Sequence, residues 1–306
     1  MRHYCANPTM SQNGDHMGGF AGFLGSLRDV SRRFTPKQIV VVWEGGGSKK
    51  RRLIDKAYKR GKKPVKRNRY YGDELPDTHN NRNDQVSKLV TALKHLPIKQ
   101  IYVPDCEGDD AVAHLSRLIV RDGSEDVVIV SSDRDFYQLI TDRVTIWSPG
   151  RRKQINSKEC IEEFRVHPNN IFLAKAIVGD SSDNVKGVSG VGYKTLTKRI
   201  PGFDQEDIMD LQDVVHVCET SQKTSKAKIY VDIPNELSTI RTNIRLVSLD
   251  AGTLPGHIAN KIETSYNSSA TDGTPNKIEL YRFIMHEGLP LLDIDSIFSS
   301  LHSARI

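Results

Sequence analysis

Residues Val127–Leu139 read VVIVSSDRDFYQL, and this stretch carries the pattern from which the fold is predicted. Four consecutive apolar β-branched residues are typical of a short strand that is buried on both faces, as in a parallel sheet. Two acids, Asp133 and Asp135, follow the strand, and a helical segment is predicted over Phe136–Ile140. Because functional groups in open α/β sheets collect just beyond the carboxyl ends of the strands, these acids are candidate site residues.

The same succession of strand and acid occurs twice more toward the amino end. The apolar run Ile39–Trp43 is followed by Glu44, and the predicted strand Ile101–Val103 is followed by the acids within Glu107–Asp110. Other segments with strand composition or helical spacing are Gly18–Phe34, Val86–Leu96, Ala111–Ile119, Val144–Trp147, Asn170–Val178 and Tyr193–Ile200. This alternation predicts an α/β fold with a mostly parallel sheet flanked by helices.

Three consecutive regions are expected along the chain. Residues 1–165 form the α/β core with a basic segment at about 45–82, residues 166–205 form a helix–hairpin–helix region, and residues 206–306 form a mainly helical extension. The glycine-rich turn GVSGVGYKT, Gly187–Thr195, lies between the two predicted helices of the middle region. Glycines let a backbone approach a phosphate closely and Lys194 adds a charge, although such a turn is also common as a plain tight loop.

The composition favours a globular protein with an anionic partner. The 306 residues are 37% hydrophobic and 27% charged, with a net charge of +6, and no apolar run is long enough to span a membrane. The cysteines form no C-x-x-C pair, so reduced thiols in a cytoplasmic protein are expected rather than disulfides or a zinc site. The cysteines are Cys5, Cys106, Cys160 and Cys218.

The positive charge is concentrated in one segment. Within Lys49–Arg69, twelve basic residues are opposed only by Asp55. Tyr58, Tyr70 and Tyr71 are interleaved with them. Basic side chains with aromatic neighbours suit binding of a nucleic-acid backbone together with stacking of bases. The alternative is a solvated charged loop, which basic runs often form.

The three strand ends are expected to bring six carboxylates to one edge of the sheet, and the later turn Gly179–Asn184 adds two more. Carboxylates at such density repel each other at neutral pH, and Mg²⁺ or Mn²⁺ relieves the repulsion. Two such ions can activate a water and stabilise the leaving oxygen of a phosphodiester. Each acid also has a structural alternative, since acids before a helix are good N-caps. The predicted metal ligands are Glu44, Glu107, Asp109, Asp110, Asp133, Asp135, Asp180 and Asp183.

Four motifs are specific in combination. They are VVWE at Val41–Glu44, EGDD at Glu107–Asp110, SSDRDFYQL at Ser131–Leu139 and GDSSDNVKGVSGVG at Gly179–Gly192. Together they resemble the 5′–3′ exonuclease/flap endonuclease family, which includes the nuclease domain of bacterial DNA polymerase I and free-standing phage enzymes. The resemblance spans Arg2–Pro201 and implies the PIN-like 5′-nuclease fold. It also implies a nuclease of the free-standing type that hydrolyses phosphodiester bonds at 5′ ends or branched junctions of DNA in replication, as in primer or flap removal.

The resemblance further implies roles for individual residues. One of two Mg²⁺ or Mn²⁺ ions lies at the Glu107–Asp110 acids and the second nearer the other aspartates, and a K⁺ ion binds at the helix–hairpin–helix. The basic segment becomes a helical arch in which Lys59 contacts the scissile phosphate, so that Lys59, Asp110 and Asp133 are the catalytic residues. The expected partners are DNA with 5′ ends or flaps and RNA–DNA primers, bound by a cytoplasmic monomer, in the host cytoplasm if viral. The residues expected to bind DNA are Arg2, Arg51, Arg52, Tyr58, Lys59, Arg60, Gly187, Gly190, Gly192 and Lys194.

The sequence departs from the family at its start. The family opens with an apolar strand that ends in a metal-binding aspartate, shortly before an arginine that Arg2 matches, and here the chain begins after the place of that strand. A start codon assigned too late is one explanation, and a DNA-binding protein with impaired cleavage is another interpretation of the same gap. A PIN-like or RNase H-like ribonuclease also fits the carboxylates alone.

Overall fold

The computed structural model describes residues 2–60, 67–76, 79–121, 123, 125–250, 252, 254–268 and 275–302. The chain forms two compact units. The first unit comprises Met1–Trp43, Lys62–Tyr102 and Thr264–Ile306, and the second comprises Glu44–Gly61 and Val103–Glu263. These units differ from the three consecutive regions expected from the sequence. Segments on both sides of residue 205 share one hydrophobic core in the second unit, because helices far apart in the sequence pack together there.

The first unit contains a two-stranded parallel sheet, in which β1 (Ile39–Trp43) pairs with β4 (Ile98–Tyr102). Its other elements are α1 (Arg2–Ala6), α2 (Gly18–Phe34), β2 (Arg67–Asn68), β3 (Gly72–Pro76), α4 (His79–Leu93), α13 (Lys277–His286) and α14 (Ile294–His302). Apolar residues recur at helical spacing in α2, so that Phe20, Leu24 and Leu27 are buried on one face. They join side chains of α4, α13 and α14 in the core of this unit.

The basic segment is helical only in part. Its first part is α3 (Lys49–Ile54), whose N-cap is Ser48, and the Ser48 hydroxyl accepts a hydrogen bond from the Arg51 N–H. Its later part forms the antiparallel strands β2 and β3, and residues 61–66 between them lie outside the described part of the chain. The expectation of a helical arch over the whole segment is therefore wrong for 67–76, where antiparallel pairing keeps the backbone extended.

The second unit contains a three-stranded sheet in the order β5–β6–β7. β5 (Val127–Val130) and β6 (Val144–Ser148) are parallel, which confirms the predicted α/β fold, and β7 (Lys153–Ile155) is antiparallel to β6. The segment after β5 is a 3₁₀ helix, Arg134–Leu139, rather than an α-helix. Asp133 caps it, since the carboxylate accepts a hydrogen bond from the Asp135 N–H at 3.0 Å.

Helices are the main elements of the second unit, which includes α3 and the first part of the predicted helical extension. They are α5 (Gly108–Arg121), α6 (Ser157–Phe164), α7 (Ile171–Val178), α8 (Tyr193–Arg199), α9 (Leu211–Gln222), α10 (Ile229–Asn235), α11 (Leu237–Val247) and α12 (Gly256–Ser268), whose last residues belong to the first unit. Between α7 and α8 lies a short antiparallel hairpin, β8 (Gly179–Asp180) with β9 (Val185–Lys186). Among the described helices, none has both the length and the apolar character to cross a bilayer.

The strands that precede the predicted acids do not belong to a single hydrogen-bonded sheet in the described part of the chain. β1 and β4 pair with each other, whereas β5 pairs with β6. The expectation that three adjacent strands deliver the acids to one edge of one sheet is therefore wrong. Loops and helix starts in the second unit bring the acids together instead.

Candidate active site

All eight acids predicted as metal ligands lie in the second unit, because the chain enters that unit directly after β1 and again after β4. The two entering loops pair through their backbones. The Gly45 N–H donates to the Cys106 carbonyl at 3.1 Å, and the Asp105 N–H donates to the Gly45 carbonyl at 2.9 Å. A Cβ at Gly45 would lie 1.8 Å from the Val103 carbonyl oxygen, so the crossing requires glycine. This pairing sets Glu44 beside the start of α5.

Glu44 binds backbone groups of the scaffold. Its Oε1 accepts a hydrogen bond from the Gly47 N–H at 2.9 Å, and its Oε2 accepts one from the Gly108 N–H at 3.1 Å. The side chain thus closes the loop after β1 and caps the first turn of α5, which is the favoured place for a carboxylate on a helix. A direct metal contact by Glu44 remains a prediction.

Asp110 and Glu107 share a buried guanidinium. Arg51 donates to the two carboxylate oxygens of Asp110 at 2.5 and 2.7 Å, and its Nη1 lies 3.3 Å from Glu107 Oε2. Its Nη2 also donates to the Ser248 carbonyl at 3.0 Å. Arg51 is only 4% exposed and serves the acids in this structure, and DNA binding by Arg51 stays a prediction. The guanidinium neutralises these acids inside the protein, and Asp110 uses both of its oxygens on it.

Lys59 connects two groups of acids. Its Nζ lies 2.8 Å from Glu107 Oε2 and 3.7 Å from Asp183 Oδ2. Its backbone N–H donates to the Asp183 carbonyl at 3.0 Å, and the Asn184 side chain donates to the Ala57 carbonyl at 3.2 Å. These bonds hold Lys59 at a positive φ of 50°. A non-glycine residue adopts that conformation only under constraint, and such constraints cluster at functional sites.

The other arch residues predicted to bind DNA are placed differently from one another. Tyr58 is buried and its hydroxyl lies 3.3 Å from Glu107 Oε2, and DNA binding by Tyr58 stays a prediction. Burial and the Glu107 charge raise the pKa of Tyr58 above its usual range. Arg52 and Arg60 are exposed, and Arg52 donates to the Gly46 carbonyl. The side chain of Arg2 lies outside the described residues.

Three aspartates of the described residues form a close group of carboxylates. One oxygen each of Asp135, Asp180 and Asp183 lies within 4.8 Å of the others. Lys175 of α7 forms an ion pair with Asp135 and lies 2.7 Å from Asp180 Oδ2. Burial opposes its positive charge, but the two aspartates raise the pKa of Lys175 to about 12. Sequence reasoning missed Lys175, although a single lysine within the apolar helix IFLAKAIV was a signal that could have indicated it.

Asp109 is linked electrostatically to the acids around it. Burial raises its pKa to about 7, and although Lys59 opposes the rise, Asp133 and Asp135 add to it. Burial also raises the pKa of Asp183. By contrast, burial disfavours the charged form of Glu107, yet Arg51 and Lys59 hold its pKa below the usual range. The cluster therefore carries more carboxylates than its own basic groups neutralise, which is the condition that a hard divalent cation relieves.

The glycine-rich turn contains two kinds of glycine. A Cβ at Gly187 would lie 2.1 Å from the Val178 carbonyl, so this glycine is needed for close packing of the hairpin. DNA binding by Gly187 itself stays a prediction. Gly190 and Gly192 are exposed with open space beside them, and Lys194 is exposed on α8. DNA binding by these three residues stays a prediction.

Comparison with known proteins assigns the family. A family model described as "5'-3' exonuclease, N-terminal resolvase-like domain" matches residues 1–165. The chain belongs to this family. The 5'-3' exonuclease of Bacillus subtilis (strain 168) is 30% identical over 207 residues, covering 66% of this chain and 64% of that protein. The 5'-3' exonuclease of Buchnera aphidicola subsp. Schizaphis graminum is 26% identical over 179 residues, 58% of each chain.

A solved structure of the T5 5'-exonuclease with bound zinc ions has the same fold. Its TM-score is 0.58 at 20% sequence identity, over 88% of this chain and 90% of that one. The likeness confirms the predicted 5′-nuclease fold. The chain spans less than two thirds of the length of the curated relatives, and 28% of the thermostable DNA polymerase I of Thermus thermophilus.

Proposed function

We propose that this chain is a divalent-metal-dependent 5′–3′ exonuclease/flap endonuclease, which hydrolyses phosphodiester bonds at 5′ ends, 5′ flaps or branched junctions of DNA. The observation that carries the proposal is the group Asp135, Asp180 and Asp183, with oxygens within 4.8 Å of one another, in a chain of the 5′–3′ exonuclease family. Primer or flap removal in replication, by a monomer in the cytoplasm, is the proposed setting, with RNA–DNA primers among the substrates.

The donor set fits Mg²⁺ or Mn²⁺, because these ions prefer carboxylate oxygens. Asp135, Asp180 and Asp183 would hold one ion, and Asp109 with Glu107 would hold a second. A pair of such ions would supply the Lewis acidity that activates a water and stabilises the leaving oxygen of a phosphodiester. In the protein alone, Lys59 and Lys175 neutralise part of this charge. Ammonium groups on long side chains can move aside when a cation binds.

The basic residues would position the nucleic acid. Lys59 lies between Glu107 and Asp183, and its charge would act on the phosphate under attack once bound cations neutralise these acids. The exposed Arg52 and Arg60 would guide a single strand, and Lys194 with the open glycines Gly190 and Gly192 would hold duplex DNA. A K⁺ ion at this turn is part of the same proposal.

Cleavage of a 5′-labelled flap duplex tests the proposal. The protein should release the flap in Mg²⁺ and leave the duplex intact in EDTA, and Asp183→Asn should bind the duplex in Ca²⁺ without cleaving it in Mg²⁺. Binding by the unaltered protein without any cleavage would instead support a structure-specific DNA-binding protein. Cleavage of RNA hairpins in preference to the DNA flap would support a ribonuclease.

A further inference from the structure

Two arginines meet at the edge of the sheet that carries Asp133. Because β5 and β6 are parallel, the residues that follow these strands emerge at the same edge. Arg134 follows β5 and Arg151 follows β6, and both bind Glu163 of α6. Arg134 Nη2 lies 2.6 Å from Glu163 Oε1. Arg151 donates to both Glu163 oxygens, at 2.5 and 2.9 Å.

This cluster keeps an unbalanced positive charge that faces outward. One carboxylate serves two guanidinium groups, and the Tyr137 hydroxyl also donates to it at 3.1 Å. The Glu163 side chain is 20% exposed, whereas those of Arg134 and Arg151 are 58% and 42% exposed. Glu163 is thus the least exposed of the three side chains, and its carboxylate orients the two arginines. Arg152, next in sequence, is also exposed.

An aromatic contact connects the cluster to the glycine-rich turn. The Arg134 guanidinium lies over the Phe164 ring, 5.5 Å from its centroid. The Phe164 ring in turn lies 4.8 Å, centroid to centroid, from that of Tyr193 at the start of α8. The next residue is the exposed Lys194. A connected surface therefore runs from Arg151 past the Phe164 ring to Lys194.

We propose that Arg134 and Arg151, extended by Arg152, form a phosphate-binding site for the backbone of duplex DNA between the acids and the glycine-rich turn. The proposal rests on the proposed function and adds a contact surface outside the basic arch. A guanidinium has five N–H donors, and the bonds to Glu163 and Tyr137 engage only part of them. A phosphate accepts two parallel bonds from a fixed guanidinium, so prior orientation by Glu163 lowers the entropy lost on binding.

The test measures binding without hydrolysis. A fluorescent 5′-flap duplex is titrated in Ca²⁺ at several salt concentrations with Arg134→Gln, Arg151→Gln and a control, Arg143→Gln. Arg143 precedes β6, at the opposite edge of the sheet, and it too is ion-paired, 2.9 Å from Asp126. Each of the first two variants should bind about three- to tenfold more weakly. The salt slope, which is the slope of log K against log salt concentration, should be smaller in magnitude by about one. The control should match the unaltered protein.

Unchanged slopes in both variants, or an equal loss in the control, would overturn the proposal. Thermal unfolding of the same samples shows whether the variants fold. If those variants do not fold, Arg152→Asn is the deciding variant. Arg152 has a positive φ of 51°, a conformation that asparagine tolerates. It should lower the slope, and no change there would overturn the proposal. If the variants have a smaller salt slope but the unaltered protein does not cleave flaps, the phosphate site is supported and the proposed nuclease function is rejected.

Discussion

Two groups of acids in the second unit are neutralised in different ways. Asp110 and Glu107 share the buried guanidinium of Arg51, which is fixed by four polar contacts. Asp135 and Asp180, by contrast, contact the ammonium group of Lys175. A guanidinium in a buried bidentate pair is a permanent part of the scaffold, whereas an ammonium on a flexible stem can give way to a cation. Arg51 therefore stabilises the fold around its two acids, of which Glu107 is also proposed to hold an ion with Asp109, and the second group is the first place to look for exchangeable metal.

The largest expected effect is on stability, from removal of the fixed cation. Arg51→Met should lower the free energy of unfolding by about 3–5 kcal/mol, because it leaves buried carboxylates uncompensated. Urea denaturation measures the change. Arg52→Met, in the same helix but exposed, is the matched control and should alter stability little. Equal losses in the two variants would show that Arg51 is not the special partner of these acids.

The second prediction concerns the exchangeable group. Asp135→Asn should reduce Mg²⁺-dependent cleavage by more than about a hundredfold. A residue that only hydrogen-bonds to a metal ligand costs about 10- to 100-fold in activity when it is replaced, so a larger loss is expected of a ligand itself. Its duplex binding in Ca²⁺ should persist, since no phosphate contact is removed. Asp126→Asn, an exposed acid at the other end of β5, should cleave normally. Substantial turnover by Asp135→Asn would remove it from the metal site and weaken the contrast between the two groups.

Lys59, which contacts an acid of each group, gives a smaller effect. Lys59→Ala should lower the single-turnover cleavage rate about tenfold at saturating DNA, because a charge beside the reacting phosphate acts on the transition state. Lys194→Ala should instead weaken binding and lower the salt slope by about one, with the saturated rate unchanged. Rapid-quench and titration experiments separate the two. If Lys59→Ala changed affinity alone, the lysine would belong to the binding surface.

The smallest effect concerns Glu163, the acid that Arg134 and Arg151 share. The Arg151 hydrogen bonds, with help from Arg134, hold the pKa of Glu163 below its usual value in the folded protein. Stability from this group is therefore fully present above the ordinary glutamate pKa of about 4.3 and is lost as pH falls through the lower folded value. Glu163→Gln should cost about 1 kcal/mol at pH 7. At pH 3 the difference in free energy of unfolding between the variant and the unaltered protein should shrink. A difference that stays the same would show that the Glu163 charge is not the source of this stability.

Much of the site was readable from sequence because its signals are local. A strand such as Val127–Val130 is marked by consecutive β-branched residues, and an acid directly after it needs no distant information to be noticed. The second short helix of the middle region, α8, was predicted for the same reason. The 3₁₀ form of Arg134–Leu139 was not predicted, since it depends on how the first turn of this segment is capped and how it packs against its neighbours.

The sequence by itself indicated the apolar strands β1, β4, β5 and β6, the family and which acids are available, because periodicity and motif spacing are properties of neighbouring residues. Only the tertiary structure decided which charges meet. Arg51 and Asp110 are 59 residues apart in sequence, and Arg51 differs from the exposed Arg52 beside it in burial, not in residue type. Lys175 likewise reaches Asp135 from another helix, 40 residues away. Long-range packing sets these distances, and distance with burial decides whether a charge serves the scaffold, a metal or DNA.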